Sequence, residues 1–378
     1  MINKKQKLGD LGQHWTPNSI VDFMWGLVSN KNGRILEPSS GNGAFVKKLI
    51  DVKSQFTAVE FDKSVIPNNL SSYYDNIDFF SYNKDQKFDV VIGNPPYVNG
   101  KLIDTRTKNI LDSKFCSATA NLYLHFIEKC VVDHLKDKGE IVFIIPSTFL
   151  SKTSRGSKLR TWMHSNGALT HYYEKDVEWE NAKVKTCIFR WVKGQAQGNV
   201  ITTSGIRSFF IDKGKINLLD FKPKGILSDF FNIGVGAAPA SKDKDPGGSS
   251  FIKNKKIVYY NMSSAKEWPR YRITESKHKI LFNGGLTRDH NIFYDTTTFG
   301  DEKQSSRHTC NYLLPKFPYQ NNELKQICRE LNNYINNYKE QFNLVDDNRI
   351  SIGISECKSL PLDDKLFNYL KTFLLRQE

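Results

Sequence analysis

One segment restricts the fold more than any other: an apolar strand pattern that runs directly into two prolines, Phe88-Asp89-Val90-Val91-Ile92-Gly93-Asn94-Pro95-Pro96-Tyr97. Proline lacks a backbone N–H and has a fixed φ angle, so two prolines cannot continue a central strand. The chain must therefore leave the sheet at the carboxyl end of this strand. Such a turn holds the Asn94 side chain, the Pro95 carbonyl and the Tyr97 ring in a fixed relation.

The chemistry of this turn suits a flat group that carries an NH₂. An exocyclic amino group on a base needs two acceptors for its two hydrogens and a flat surface for its ring. Asn94 Oδ1 and the Pro95 carbonyl are candidate acceptors, and Tyr97 is a candidate stacking face. We therefore expect Asn94, Pro95, Pro96 and Tyr97 to form a catalytic turn. A buried structural turn without a ligand is the alternative.

The first half of the chain alternates short apolar runs with helical patterns, which is typical of an α/β domain. Thr16 is expected to cap the first helix, with Pro17 at its first position. The predicted strands cover residues 34–36, 56–59, 90–93, 140–145 and 185–192, and the predicted helices cover residues 19–27, 44–50, 121–135 and 157–166.

Two loops that follow predicted strands have the composition of a nucleotide site. The glycines of Ser39-Ser40-Gly41-Asn42-Gly43 let the backbone approach a ligand closely. Glu60 ends the next strand about 20 residues later, where an acid can accept hydrogen bonds from ribose hydroxyls. Each feature alone is also consistent with a tight turn or a surface carboxylate. Together they favour an adenosine-containing cofactor, and the P-loop pattern Gly-x-x-x-x-Gly-Lys-Ser/Thr is absent from the sequence.

The order of these elements resembles the gamma class of amino-methyltransferases that act on adenine N6, the family of type II restriction–modification methyltransferases. In that class the cofactor motifs precede the catalytic turn, and a target-recognition domain follows it. The resemblance covers about residues 8–192. It is carried by residues 13–17, Glu37-Pro38, Gly41-Asn42-Gly43, Glu60, Asp78-Phe79, Asn94-Pro95-Pro96-Tyr97, residues 121–126 and residues 139–146.

The resemblance implies a fold, a cofactor and a reaction. The fold is a Rossmann-like domain with a mixed sheet, followed by a smaller α+β domain. The cofactor is S-adenosyl-L-methionine, and the reaction is transfer of its methyl group to N6 of an adenine flipped out of double-stranded DNA. The implied cofactor contacts are Thr16, Glu37, Ser39 and Gly41 at the methionine part, Glu60 at the ribose, and Asp78 and Phe79 at the adenine, with Phe61 and Asn94 as further contacts. Trp179 is implied against the extruded base beside Tyr97.

The second half of the chain is expected to recognise the DNA target sequence. We place the catalytic domain at residues 1–222 and the target-recognition domain at residues 223–378, after the break Lys222-Pro223-Lys224-Gly225. Residues 234–250 read as a long loop, with 234–245 as a candidate for entering a groove, and residues 323–342 read as a helix. Basic residues alternate with aromatic ones, although a solvated surface would give the same pattern. The candidate DNA contacts are Lys253, Lys255, Lys256, Arg270, Arg272 and Arg288.

The amino-acid composition is consistent with a protein that binds nucleic acid. The formal net charge of +14 indicates a polyanionic partner such as nucleic acid. The six cysteines form no Cys-x-x-Cys pair, and no run of about 18 apolar residues occurs. We therefore expect no metal, no disulfide framework and no membrane span. A prokaryotic cytoplasm, with a cognate restriction endonuclease encoded nearby, is the context that the resemblance implies.

Other functions stay open at this level. Cytosine N4, an RNA base and a protein glutamine present the same amino group to such a turn. A DNA-binding protein on a methyltransferase fold without activity is a further alternative. A nuclease would use Asp347 with Glu356 and Lys358, although such short patterns recur by chance.

Overall fold

A computed structural model describes residues 15–150, 154–176, 185–235, 247–253, 256–261, 278–282, 292–295, 305–306, 311–342, 344–346, 349–350 and 352–377. The chain divides into two compact units, Met1–Asp220 and Phe221–Glu378. This division falls two residues before the boundary expected from the sequence. The functions assigned to the two units stay predictions.

The first unit is built on one mixed sheet. Its strands are β1 Ile35–Glu37, β2 Phe56–Val59, β3 Tyr74–Asp75, β4 Phe88–Gly93, β5 Leu135–Pro146, β6 Gly167–Asp176, β7 Lys185–Lys193, β8 Val200–Thr202, β9 Gly205–Asp212 and β10 Lys215–Leu219. In the described residues they lie in the order β10-β9-β8-β6-β7-β5-β4-β1-β2-β3. Strands β1 to β5 pair in parallel, and β7 is antiparallel to both β5 and β6. The predicted Rossmann-like fold with a mixed sheet is confirmed.

The helices of the first unit are α1 Asn18–Leu27, α2 Ala44–Asp51, α3 Thr105–Ile110, α4 Leu122–Lys129 and α5 Ser157–Asn166. The helix predicted over residues 121–135 is shorter in the structure, where it ends at Lys129. After α4 the chain makes a π-helical turn over Cys130–His134, and Leu135 already pairs with Phe88 as the first residue of β5. Pairing within the sheet therefore sets the end of this helix.

The predicted cap of α1 is wrong. Its N-cap residue is Pro17, and no side chain caps the helix. The hydroxyl of Thr16 instead accepts a hydrogen bond from Asn94 Nδ2 at 3.1 Å. Thr16 is thus committed to the turn after β4, 78 residues away in sequence.

Both faces of the sheet are covered. Val91 of β4 and Phe143 of β5 pack into the apolar layer that holds α4 and α5. Their neighbours Ile92 and Val142 point the other way, into the layer that holds α1 and α2. Successive side chains of a strand alternate between faces, so the continuous apolar runs 90–92 of β4 and 141–145 of β5 require helices on both sides.

The second unit is α+β, as predicted. Its strands are β11 Gly225–Ile226, β12 Phe231–Val235, β13 Gly247–Lys253, β14 Lys256–Asn261, β15 Ile280–Phe282, β16 Phe293–Asp295, β17 Ser305–Ser306, β18 Asn311–Pro315, β19 Val345–Asp346, β20 Arg349–Ile350 and β21 Pro361–Leu362. Its helices are α6 Asn321–Tyr338, α7 Ile354–Lys358 and α8 Asp364–Leu374. In the described residues, β12, β18, β15 and β16 form a four-stranded sheet in that order.

Strands occupy both ends of the segment 234–250, which the sequence predicts to be one long loop. Gly234 lies in β12, and the segment from Gly247 to Ser250 lies in β13. Strand β13 pairs antiparallel with β14, whose sequence Lys-Ile-Val-Tyr-Tyr-Asn is rich in β-branched and aromatic residues. Such a partner draws a Gly/Ser segment into a sheet against its own weak strand propensity. Residues 236–246 lie outside the described residues.

A buried carboxylate ties the end of α1 to the centre of the main sheet. Glu140 of β5 is 2% exposed, and its Oε1 accepts hydrogen bonds from Ser29 N and Asn30 N, both at 2.8 Å. Arg190 Nε of β7 donates to its Oε2 at 2.5 Å. A buried charge is tolerated when a counter-charge and further donors surround it, as they do here.

We expect Glu140→Ala to lower the free energy of unfolding by about 3–5 kcal/mol, because Arg190, whose side chain is only 13% exposed, then loses its counter-charge. Asp22→Ala is the matched control. It removes an exposed ion pair with Lys48 and should cost less than about 1 kcal/mol. Equilibrium unfolding in urea measures both variants, and similar losses in the two would contradict a special role for Glu140.

Candidate cofactor and catalytic site

Two neighbouring parallel strands deliver the first polar groups of the site. Strand β1 pairs with β2 on one side and with β4 on the other. The strand order therefore reverses at β1, and open α/β sheets bind ligands at the carboxyl ends of strands at such a switch point. Glu37 ends β1 and Asn94 follows β4 at this edge.

Glu37 is a fully buried carboxyl group with unused acceptor capacity. Ser39 N lies 3.4 Å from its Oε1, whereas its buried Oε2 has no hydrogen-bond partner among the described residues. Burial raises the pKa of Glu37 to about 8, and the nearby Glu60 carboxylate adds to the increase. A buried oxygen without a donor costs free energy, so a ligand that brings a cationic or N–H donor is favoured at this position.

The position of Glu37 depends on a missing side chain. A Cβ at Gly93, in the neighbouring strand β4, would lie 2.6 Å from Glu37 Oε1. Real Cβ atoms do not approach an oxygen so closely, so a larger residue at 93 would displace the carboxyl group. Glycine at this position is therefore a requirement of the site.

Glu60 holds the loop that follows β1 (residues 38–43) in place through its carboxylate. Gly41 N donates to Glu60 Oε2 at 2.7 Å, and Asp62 N donates to Oε1 at 2.8 Å. Gly41 has a positive φ of 49°, a conformation that glycine adopts without strain. Because each carboxylate oxygen accepts about two hydrogen bonds, Glu60 can hold the loop and still accept from ribose hydroxyls.

The predicted catalytic turn is held from two other segments. Asn94 Nδ2 donates to Thr16 Oγ1 at 3.1 Å, just before α1. The hydroxyl of Ser39, in the loop after β1, donates to the Asn94 carbonyl at 3.1 Å. The structure thus brings Thr16, Glu37, Ser39 and Asn94 together, as the sequence predicted. Pro95 is buried, and Pro96 is partly exposed.

Tyr97 is fixed at both ends of its side chain. Its hydroxyl donates to the carbonyl of Ile144, in β5, at 3.0 Å. Its partly exposed ring meets the edge of Tyr123, with centroids 6.2 Å apart. Burial of the hydroxyl raises the pKa of Tyr97 well above its ordinary value, so the group stays a neutral donor. The ring therefore has a set orientation before any ligand arrives.

The residues predicted for the adenine side are arranged differently from each other. Asp78 is partly exposed and accepts from Phe80 N at 2.9 Å and from the Thr107 hydroxyl at 3.0 Å. Phe79 is 2% exposed, and its ring stacks inside the core on Phe126. Its ring offers no open face, which differs from the packing role implied by the resemblance.

Phe61 is the open aromatic ring on this side. It follows Glu60 directly, is 51% exposed, and lies 5.8 Å from the Arg106 guanidinium. A flat base could lie against Phe61 where the Phe79 ring is out of reach.

Sequence reasoning missed four side chains that line this edge. Trp15 lies against Gly41, where an added Cβ would come within 3.0 Å of the indole. The hydroxyl of Tyr74 donates to the Gly41 carbonyl at 3.3 Å. Arg106 and Thr107 come from α3, which buries none of its six residues and so has no apolar periodicity for a sequence pattern to detect.

The structure leaves other predicted site residues untested. Trp179, Lys255, Arg270, Arg272, Arg288 and Asp347 lie outside the described residues. Lys253 ends β13 and Lys256 begins β14. Glu356, part of the nuclease alternative, accepts the N–H of Gly353 at the start of α7 and so acts as a helix cap.

The described residues offer neither a metal cluster nor a membrane-spanning helix. They contain no group of three or more His, Cys, Asp or Glu side chains that could hold a metal ion. Among their helices, none combines the length and apolar character needed to cross a membrane.

Comparison with known proteins places the first unit in a family context. Residues 36–178 match the family model of the Eco57I restriction-modification methylase. The resemblance to type II restriction–modification methyltransferases is confirmed. The matching segment runs from β1 through the catalytic turn to the end of β6, and so contains most of the residues described above.

Three relatives illustrate the extent of the match. Type II methyltransferase M.HincII of Haemophilus influenzae is 36% identical over 204 residues, which are 50% of this chain and 39% of that protein. Type II methyltransferase M.TthHB8I of Thermus thermophilus is 30% identical over 49% of this chain and 45% of its own. Modification methylase CviBIII of Paramecium bursaria Chlorella virus NC1A is 33% identical over 38% of this chain and 40% of its own. The chain thus spans less than half the length of these curated relatives.

The residues at this edge fit S-adenosylmethionine. This molecule carries an ammonium group, two ribose hydroxyls and an adenine with one amino group. The site offers the unpartnered oxygen of Glu37, the carboxylate of Glu60, the partly exposed carboxylate of Asp78 and the open ring of Phe61. Acceptors thus stand ready for each donor of the cofactor.

Glu37→Gln is expected to make the ligand-free protein more stable at high pH. The folded protein raises the pKa of Glu37 from 4.5 to about 8, so the stability that the protonated form retains below pH 4.5 is lost as the pH rises through about 8. Glutamine does not ionise. We expect its Tm to exceed the wild-type Tm at pH 8 to 9 by at least about 2–4 °C, equivalent to about 1 kcal/mol.

The difference in Tm between Glu37→Gln and the wild type should shrink towards pH 5, where the wild-type carboxyl group of Glu37 is protonated. Thermal unfolding across the pH series measures it, with Glu174→Gln, an exposed carboxylate, as the control. A wild-type protein that is more stable than the variant at pH 9 would contradict the burial argument.

Proposed function

We propose that this chain is a DNA methyltransferase of a restriction–modification system, which transfers a methyl group from S-adenosylmethionine to N6 of an adenine flipped out of the duplex. One observation carries the proposal. The turn Asn94-Pro95-Pro96-Tyr97 leaves β4 at the edge where Glu37 ends β1 and Glu60 follows β2, so the proposed amino-binding turn adjoins the proposed cofactor site.

The reaction requires a better nucleophile than free adenine offers. The N6 lone pair is delocalised into the ring, and acceptors for both N6 hydrogens leave more electron density on nitrogen. In the proposal, Asn94 Oδ1 and the Pro95 carbonyl accept these hydrogens. S-Adenosylmethionine, when bound, supplies an electrophilic methyl group. The new bond joins this methyl carbon to N6, the sulfur keeps the electron pair of the broken bond, and one N6 proton is lost to solvent.

The contacts of Asn94 suit this task. Its Nδ2 donates to Thr16 Oγ1, which sets the direction of the amide plane. The Ser39 hydroxyl holds its backbone carbonyl. An acceptor that is oriented in advance needs no reorganisation during the reaction, and positioning of this kind can supply several kcal/mol of the barrier.

Tyr97 is the proposed platform for the extruded base. A base inside a duplex is out of reach, and flipping it costs a few kcal/mol, of which stacking on an aromatic ring recovers about 1–3 kcal/mol. The hydroxyl bond to Ile144 keeps the ring from following the base outward. Trp179 is proposed to contact the same base.

The DNA partner is supported by charge and by the relatives. The net charge of +14 favours a polyanion, the matching family model is named a restriction-modification methylase, and the relative from Haemophilus influenzae is named a type II methyltransferase. We propose that the second unit reads the target sequence through Lys253, Lys255, Lys256, Arg270, Arg272 and Arg288. A cognate endonuclease and a prokaryotic cytoplasm belong to the same proposal.

The experiment is transfer of isotopically labelled methyl groups to unmethylated DNA, followed by digestion to nucleosides and mass analysis. We expect the label in N6-methyldeoxyadenosine. We also expect Asn94→Ala to slow transfer at least about 100-fold, the loss seen when one preorganised polar contact is removed, while cofactor binding measured by calorimetry stays within about threefold.

The other outcomes separate the alternatives. Label in N4-methylcytosine would retain the chemistry of the turn and change the base. Label only in RNA or in a protein glutamine would contradict the DNA partner. Full activity of Asn94→Ala would remove Asn94 from the mechanism.

Tyr97 variants test the platform. Tyr97→Phe keeps the ring and loses one hydroxyl bond, so kcat/KM should fall about tenfold or less. Tyr97→Ala loses the stacking surface as well and should fall a further 5- to 150-fold, in line with about 1–3 kcal/mol per stacked base. DNA with a mismatch at the target adenine should restore part of the loss, because the base is already unpaired. Equal activity of the two variants would contradict stacking on Tyr97.

A further inference from the structure

Helix α3 (Thr105–Ile110) contacts the adenine side of the proposed cofactor site from outside the matched strands. The Thr107 hydroxyl donates to Asp78 Oδ2 at 3.0 Å. The neighbouring Arg106 guanidinium lies 5.8 Å from the ring of Phe61. One short helix thus touches both side chains that are open to a purine on this edge.

The apolar core holds the chain on either side of α3, through Ile103 and Leu111, but not the helix itself. The helix buries none of its residues. Its start is set locally, because the Asp104 carboxylate accepts the N–H of Arg106 at 2.8 Å. Thr107 is only partly exposed, whereas the other five residues of the helix are exposed. The contact with Asp78 is therefore the polar contact through which the helix reaches the site.

The geometry of Asp78 shows what this contact does. Its Oδ1 accepts Phe80 N at 2.9 Å, which ties one oxygen to the chain that follows. A single tie leaves a carboxylate free to rotate about its Cβ–Cγ bond. The Thr107 hydroxyl ties the other oxygen, and two donors on opposite oxygens fix the plane of the group. The remaining lone pairs of this partly exposed carboxylate then have a set direction.

We propose that Thr107 is a positioning residue, which orients Asp78 to accept a hydrogen bond from the 6-amino group of the cofactor's adenine. This inference rests on the proposed function, since it assumes that S-adenosylmethionine binds here with its adenine at Asp78. Arg106 lies beside the Phe61 ring at the same end of the site. The helix therefore determines the selectivity of the site for an amino-purine.

Two ligands separate orientation of Asp78 from general support of the site. The first is S-adenosylhomocysteine, and the second is its purine riboside analogue, which has hydrogen in place of the 6-amino group. Isothermal titration calorimetry measures the Kd of both with the whole protein. The variants are Thr107→Val, which keeps the shape and removes the hydroxyl, and Thr107→Ser, which keeps the hydroxyl. Thr105→Val, exposed on the same helix, is the matched control.

We expect Thr107→Val to weaken the binding of S-adenosylhomocysteine about 5- to 20-fold. A misoriented Asp78 then loses its charge-assisted hydrogen bond to the 6-amino group, and this is a typical effect of such a loss. The same variant should change the affinity for the analogue less than about twofold, because that ligand makes no bond to Asp78. Thr107→Ser and Thr105→Val should bind both ligands as the wild type does.

Two results would overturn the inference in different ways. Equal weakening of both ligands by Thr107→Val would show that Thr107 supports the site without orienting Asp78, and the proposed function would stand. A wild-type protein that binds S-adenosylhomocysteine and the analogue equally well would show that Asp78 makes no use of the amino group. If the wild type binds neither ligand, the proposed function fails together with this inference.

Discussion

The close approach of the Glu37 carboxyl group to the backbone of Gly93 is the constraint on which the rest of the site depends. The Glu37 carboxyl group occupies the space that a side chain at position 93 of the neighbouring strand β4 would need, since a Cβ there would lie 2.6 Å from its Oε1. Glycine in β4 gives that space to Glu37. The carboxyl group then lies beside the strand residue that precedes Asn94, so the proposed cofactor site and the proposed amino-binding turn are neighbours in the sheet.

Much of this arrangement could be predicted from sequence because it depends on local signals. The apolar run before Asn94 identifies a buried strand, and the two prolines identify the point where it leaves the sheet. Strand β2 and Glu60 follow from the same reasoning, since an acid after a buried strand must lie at its carboxyl end. The parallel order of β1, β2 and β4 then brings these ends together, which is a property of the fold class.

The rest could not be predicted because it depends on contacts between distant residues. Thr16 has the sequence signature of a helix cap, yet its hydroxyl bonds to Asn94. Phe79 and Phe61 each follow an acid in the sequence, and only packing decides that one ring is buried and the other open. Helix α3 has no buried face, so nothing in its sequence marks Thr107 as a neighbour of Asp78. Hydrogen bonds across 29 and 78 residues leave no local pattern.

The indole of Trp15 packs against Gly41, in the loop that follows β1, and its fluorescence is therefore sensitive to changes in this loop. Tryptophan emission is sensitive to the polarity and to the charge of its surroundings. Gly41 bonds through its N–H to Glu60 and through its carbonyl to Tyr74, so any ligand that shifts this loop changes the environment of the indole. Ligand binding that shifts this loop is therefore expected to change the contribution of Trp15 to the intrinsic fluorescence of a chain with six tryptophans.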